Sequence, residues 1–221
     1  MADLSFTHKY TLCALYPDGS VGFIRKIEVF SCIVAAGIWE LMSDGYVALN
    51  EKKQLAVQKE LAADKSYLQP LYRMMKQSKP MKATTIAEKY VLSFTSKRMN
   101  ELIREITSSM VDNHAVREHS KQGLFSDKTV FAPEQAAVDA VVQKIRAEFL
   151  EDGSISDETV VLGALLKESG LLKKYFSNYE SEKVSQRIKE IKDTQASAFV
   201  KEILDDIATW IVIIVSAGST R

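Results

Sequence analysis

The stretch from Cys32 to Leu49, CIVAAGIWELMSDGYVAL, constrains what this chain can fold into more than any other segment. It belongs to a predicted helix over Glu28–Asp44 whose Ile33, Val34, Ala36, Gly37, Ile38, Leu41 and Met42 leave almost no polar face. Such a helix has to be covered all round, so its place is the centre of a bundle. Gly45 supplies the left-handed residue that ends it. Tyr46–Leu49 and Leu55–Gln58 then read as the arms of a short hairpin around Asn50–Gln54. A similar succession recurs from Met110 to Pro133, with arms at Ala115–Glu118 and Lys128–Phe131 and a loop containing Gly123. Neither copy sets a nucleophile beside a base, so a helix feeding a hairpin is here a scaffold for binding more readily than a catalytic cleft.

The rest of the chain is helical by its spacing. Leu4–Tyr16 is followed by a Pro17-Asp18-Gly19 turn and a short Val21–Ile27 segment. Pro80 separates helices over Ser66–Gln77 and Met81–Phe94. Ser96 is placed to cap the next helix, with Met99, Leu102, Ile103, Ile106 and Met110 on its core face. Pro133 suits the first position of a helix striped by Ala137, Val138, Val141, Val142, Ile145 and Phe149. Ser156 caps another apolar helix, which Gly170 interrupts, and Val184, Ile188 and Ile191 stripe a highly charged one before the closing Phe199–Ala217. The expectation is a mainly α protein: a single globular helical domain over residues 1–221, with central apolar helices and two short β-hairpins. Ile33, Ile38, Leu41, Leu165, Leu166, Ile211 and Ile214 should share its core.

At 46% hydrophobic, with nine glycines and four prolines, the composition is that of a folded chain. The 29 basic and 29 acidic side chains cancel, which removes the broad attraction that gives nucleic-acid binders most of their non-specific affinity. They are unevenly placed, 18 against 14 through Lys128 and 11 against 15 after it, which gives a mildly basic side suited to anionic lipid or phosphate if the two halves face different ways. Cys13 and Cys32 lie in apolar helical stretches and read as free thiols of a reducing, cytoplasmic protein. MADLSFTHKY has no basic n-region and no unbroken apolar run, so no signal peptide is expected. WIVIIVSAG, Trp210 to Gly218, is shorter than the ~20 apolar residues of a spanning helix and reads as a buried final helix.

Four local patterns, in order, cover nearly the whole chain. They are Leu4-Ser5 leading a helix with Leu12 and Leu15; Gly37-Ile38-Trp39-Glu40-Leu41 running into Asp44-Gly45-Tyr46-Val47-Ala48-Leu49; the helix end Met110-Val111-Asp112-Asn113-His114-Ala115-Val116; and Leu162-Gly163-Ala164-Leu165-Leu166 through Leu171-Leu172. Together they resemble the Golgi phosphoprotein 3 family, and the chain looks like a short, prokaryotic-type member. The resemblance implies a mostly helical domain that binds phosphatidylinositol 4-phosphate at membranes and acts as an adaptor. Two departures stand out. The third pattern lacks the family's usual glycine. Of the four groups that hold the inositol phosphate in Golgi members, the loop Trp position falls near Arg25 and the helix Arg position at Val34, so two are missing.

Recognition of a phosphate needs several cations converging on one anion, with arginine favoured for its planar fork. Arg25, Lys26, Arg98 and Arg104 are the candidate lipid-headgroup residues, and Phe23 with Ile24, next to two of them, is the candidate membrane-insertion loop. The partners expected are an anionic phospholipid headgroup such as a phosphoinositide, and a protein cargo or a second copy. The place of action is the cytoplasm, peripherally at the cytoplasmic face of a membrane.

No cofactor and no metal are expected. His114 and His119 flank Glu118, but five residues along a strand put the two rings on opposite faces and no third ligand has zinc-like spacing. Glu151-Asp152, Asp157-Glu158 and Asp205-Asp206 suit helix starts and loops better than acid–base catalysis. There is no phosphate-binding glycine loop and no nucleophile elbow, so no enzymatic activity is expected, although His8, His114 and His119 could titrate near neutral pH. The competing class is a winged-helix DNA-binding regulator reading bases with Lys97, Arg98, Asn100 and Arg104. Nucleic acid is the less favoured partner, because Glu101 and Glu105 interleave with those cations.

Overall fold

Every residue from Val29 to Leu41 is buried in α2, Lys26–Ser43, the helix read as central from its all-round apolarity. The structure is a computed structural model that describes residues 4–22, 25–121, 128–151, 153–194 and 198–219. Phe23, Ile24, Gly123 and Asp152 lie outside the described residues. Before α2 comes α1, Phe6–Ala14; after it come the β1–β2 hairpin, Val47–Leu49 with Leu55–Val57, a 3-10 turn over Ala63–Leu68, α3, Gln69–Gln77, α4, Ala83–Val91, and α5, Lys97–Ser108. The second hairpin, β3 Val116–Lys121 with β4 Lys128–Pro133, leads into α6, Gln135–Leu150, α7, Asp157–Glu168, the short α8, Leu172–Tyr175, α9, Asn178–Thr194, and α10, Ala198–Ser219.

The fold is mainly α, and its two sheets are two-stranded and antiparallel, with Val47 opposite Val57 and Val116 opposite Pro133. α1, α3, α4, α7 and α10 all pack on α2. One apolar cluster runs from Phe6 to Ile214 and contains Ile33, Ile38, Leu41, Leu165, Leu166 and Ile211 together. Gly37 lets α3 close on α2, since a Cβ there would stand 2.8 Å from Leu71 Cδ2. Cys13 and Cys32 are free and fully buried, and burial raises the Cys13 thiol to about 12, so it stays protonated and inert.

α1 is buried along all nine residues, although Thr7, His8, Lys9 and Thr11 are polar. Its carbonyl end is clasped from far along the chain. Lys174 Nζ donates to the carbonyls of Cys13, at 3.2 Å, and Leu15, at 2.8 Å, while the Tyr175 hydroxyl donates to Cys13 O at 2.6 Å.

Three local expectations need correction. Ser96 does precede α5, but at φ 50 it is left-handed and its hydroxyl makes no capping bond. Ser5 and Ser156 are extended, as side-chain capping requires, and accept from His8 N and Thr159 N, each at 3.3 Å. Pro133 ends β4, where its missing N–H costs no ladder bond, and Glu134 is the residue before α6. The helix read as far as Phe94 stops at Val91; Ser96 N donates to Ser93 O at 3.3 Å, so Phe94 occupies a tight turn between α4 and α5.

Candidate functional site

Two polar depressions are of interest, one against the central helix and one between α3, α4 and α5. One, about 560 Å³, lies where the start of α1 meets the end of α2 and the 3-10 turn. Glu40 is its centre, an acid 3% exposed within the otherwise apolar stretch Cys32–Leu41. Its carboxylate accepts from Thr7 N at 2.8 Å, from Lys65 Nζ at 2.7 Å and from the Tyr67 hydroxyl. Burial opposes the charge on Glu40, but the bonds from Lys65, Tyr67 and Thr7 outweigh it and hold its pKa below the usual value. Lys65 also reaches Asp44 at 2.7 Å, and Lys9 pairs with Glu158 at 2.6 Å. His8 stacks against Tyr67 at 4.2 Å and shares a hydrogen bond with Ser109 Oγ at 2.8 Å. Burial lowers its pKa to about 4, Glu40 pulling up and Lys65 down. Both lysines here are committed to carboxylates of the chain itself, so the depression ties α1 to its neighbours.

The second depression, about 280 Å³, is basic. α3 contributes Arg73 and Met74, α4 contributes Lys89 and Tyr90, and α5 contributes Arg98 and Glu101, with Ser78 at the rim. Arg73, Lys89 and Arg98 are exposed, and none makes a side-chain hydrogen bond or ion pair with another described residue. Tyr90 lies beneath them, 2% exposed. Burial first, then Glu101, raises its hydroxyl pKa against the pull of Arg98 and Arg73, so it remains a proton donor.

Of the four cations expected to bind phosphate, only Arg98 lines this groove. Arg25 takes the left-handed position before α2, φ 60, where Nε meets Glu28 Oε1 at 3.1 Å and Nη2 donates to Glu168 O at 3.1 Å, closing the carbonyl end of α7. Lys26 lies 5.2 Å from the Phe30 ring. Arg104 pairs with its neighbour Glu105 at 3.0 Å; six residues from Arg98 at about 100° each, it points to another side of α5. Among the described residues no group of three His, Cys, Asp or Glu could hold a metal ion; His114 precedes β3 and His119 pairs within it opposite Val130.

The sequence profile of the Golgi phosphoprotein 3 family, GPP34, matches residues 12–208. The chain belongs to that family. No curated protein matches the chain. Three of the patterns that carry the resemblance to the Golgi phosphoprotein 3 family now have physical roles. Ser5 caps α1, Glu40 bonds the first turn of the same helix, and His114 takes the left-handed place of a glycine, φ 54. Val34, where the resemblance places a headgroup arginine, is 0% exposed. Among the described residues no helix is long and apolar enough to cross a membrane.

Reading the sequence missed Arg73, Lys89 and Tyr90. They come from separate helices, and no local spacing joins them to Arg98. Glu40 did carry a signal, being an acid inside an apolar helix, which calls for buried donors.

Proposed function

We propose that this Golgi phosphoprotein 3 family member is a peripheral membrane protein that holds the phosphate of an anionic phospholipid headgroup between α3, α4 and α5. The observation that carries this reading is the company of Arg73, Lys89 and Arg98 around a single carboxylate, Glu101, with no ion pair for any of the three. Cations left facing one another repel, and a bound anion relieves that repulsion. Two guanidinium forks suit phosphate oxygens, and the protonated Tyr90 hydroxyl and Ser78 add neutral donors. The volume fits a headgroup phosphate better than a whole lipid.

On this reading the protein acts by recruitment, without turnover, at the cytoplasmic face of a membrane, where it brings a protein cargo or a second copy. A chain of zero net charge gains little from long-range attraction, so binding is weak and screened by salt. The family resemblance makes phosphatidylinositol 4-phosphate the first lipid to try.

Co-sedimentation with vesicles of phosphatidylcholine alone, with phosphatidylserine, and with phosphatidylinositol 4-phosphate, each over a salt series, tests the proposal. Binding is expected to the anionic vesicles only, to weaken with salt, and to vanish in Arg73→Glu/Arg98→Glu without a change in melting temperature. Undiminished binding by that double variant would exclude the groove.

A further inference from the structure

Phe94 is the most exposed large apolar side chain among the described residues, at 104% of its reference area. It stands alone at the tip of the Ser93–Ser96 turn, closed by Ser96 N to Ser93 O at 3.3 Å. Its place is what matters. The turn joins the end of α4, which carries Lys89, to the first turn of α5, which carries Lys97 and Arg98, and all three cations are exposed. A lone exposed phenylalanine is common on protein surfaces. One on a short closed turn between two unpaired groove cations has a definite match: an anionic bilayer offers phosphates to the cations and acyl chains to the ring.

We infer that Phe94 is the membrane anchor of this protein, entering the headgroup–acyl boundary of an anionic bilayer while Lys89, Lys97 and Arg98 engage the phosphates around it. The inference rests on the groove reading above, and it assigns insertion to the α4–α5 turn instead of Phe23 and Ile24. The turn gives the ring a defined direction, so little ordering is needed on docking. The apolar contact is insensitive to salt, so it supplies the part of the affinity that survives screening.

The full chain is mixed with vesicles of equal phosphatidylcholine and phosphatidylserine. Phe94→Ala should weaken binding roughly tenfold, the loss expected for withholding one large apolar side chain from the acyl boundary, at an unchanged melting temperature. In Phe94→Trp, binding should persist, and the introduced indole should shift to the blue and be quenched by brominated acyl chains. Trp39 and Trp210 are 5% and 8% exposed and provide an invariant background. If Arg73→Glu/Arg98→Glu abolishes binding while Phe94→Ala leaves it unchanged, or if the indole is not quenched, the anchor is wrong and the headgroup groove stands. If the parent chain ignores anionic vesicles altogether, both are overturned.

Discussion

His114 stands in the second helix–hairpin unit where Gly45 stands in the first. Both backbones are left-handed, φ 54 and 72. In the first unit Gly45 N donates to Met42 O at 3.0 Å and Tyr46 N to Leu41 O at 2.8 Å; in the second His114 N donates to Val111 O at 2.9 Å and Ala115 N to Met110 O at 3.1 Å. The end of α2 and the turns that follow α5 therefore close by the same pair of bonds, although only one has the residue without a Cβ that this conformation favours.

His114 carries a steric cost at that position of about 1 kcal/mol. His114→Gly should raise the stability by roughly that amount, or about 2–4 °C in melting temperature for a chain of this size. His114→Val should lower it, because a β-branched residue tolerates the left-handed region least. A thermal melt in which the glycine variant is the less stable of the two would contradict the shared closure.

Lys65 bridges Glu40 and Asp44, and its own side chain is 20% exposed. Lys65→Met removes a charged donor from a buried carboxylate and should cost about 2–3 kcal/mol in urea unfolding. The simultaneous change Lys65→Met/Glu40→Met should cost less than the sum of the two single changes, since no orphaned charge remains. Strict additivity in that cycle would mean that the two side chains are not coupled.

Stability should also fall on mild acidification. The folded pKa of His8 is lowered from 6.5 to about 4 by burial, so below pH 6.5 the unfolded chain takes up a proton that the folded chain refuses. The contribution is complete above pH 6.5 and is lost as the pH drops to about 4, amounting to about 3 kcal/mol. Glu40 has the same sign: its folded pKa is depressed, so its contribution is present at neutral pH and disappears as the pH falls through that value. His8→Gln should flatten the upper part of the profile, between pH 6.5 and 5, which unfolding curves at several pH values would reveal.

Arg25 and Arg98 should separate by assay. Arg25→Ala breaks the bond to Glu168 O and should lower stability by about 0.5–1 kcal/mol while leaving vesicle binding intact. Arg98→Ala should do the reverse. A vesicle-binding defect in a stably folded Arg25→Ala would return Arg25 to the headgroup site.

The legible part of the fold was what period and composition record. α2 announced its central place by lacking a polar face, and Gly45 and the apolar arms announced the first hairpin. Ser96 departs from its expected role because capping depends on the backbone angle at one residue, which identity sets only weakly outside glycine and proline, and Pro133 because its fixed φ suits the end of an edge strand as well as the start of a helix. The surroundings of Arg25 were no more legible. A cation beside an apolar pair suits a membrane loop, but its donors turned to a carbonyl 143 residues away. The groove was invisible because Arg73, Lys89 and Arg98 meet only after three helices pack.

The clasp of Lys174 and Tyr175 on α1 bears on the order in which the chain assembles. The carbonyl end of α1 is completed by residues 159–162 positions later in the chain. At about 5–20 residues per second, roughly 8–32 s of synthesis separate the two. Within that interval α2, α5, α6 and α7, which pack on α1 around the fully buried Tyr10, Leu12 and Cys13, are all made before the clasp is. The apolar faces of α1 can thus be covered before its carbonyl end is, and a nascent chain ending before Lys174 leaves the carbonyls of Cys13 and Leu15 to water.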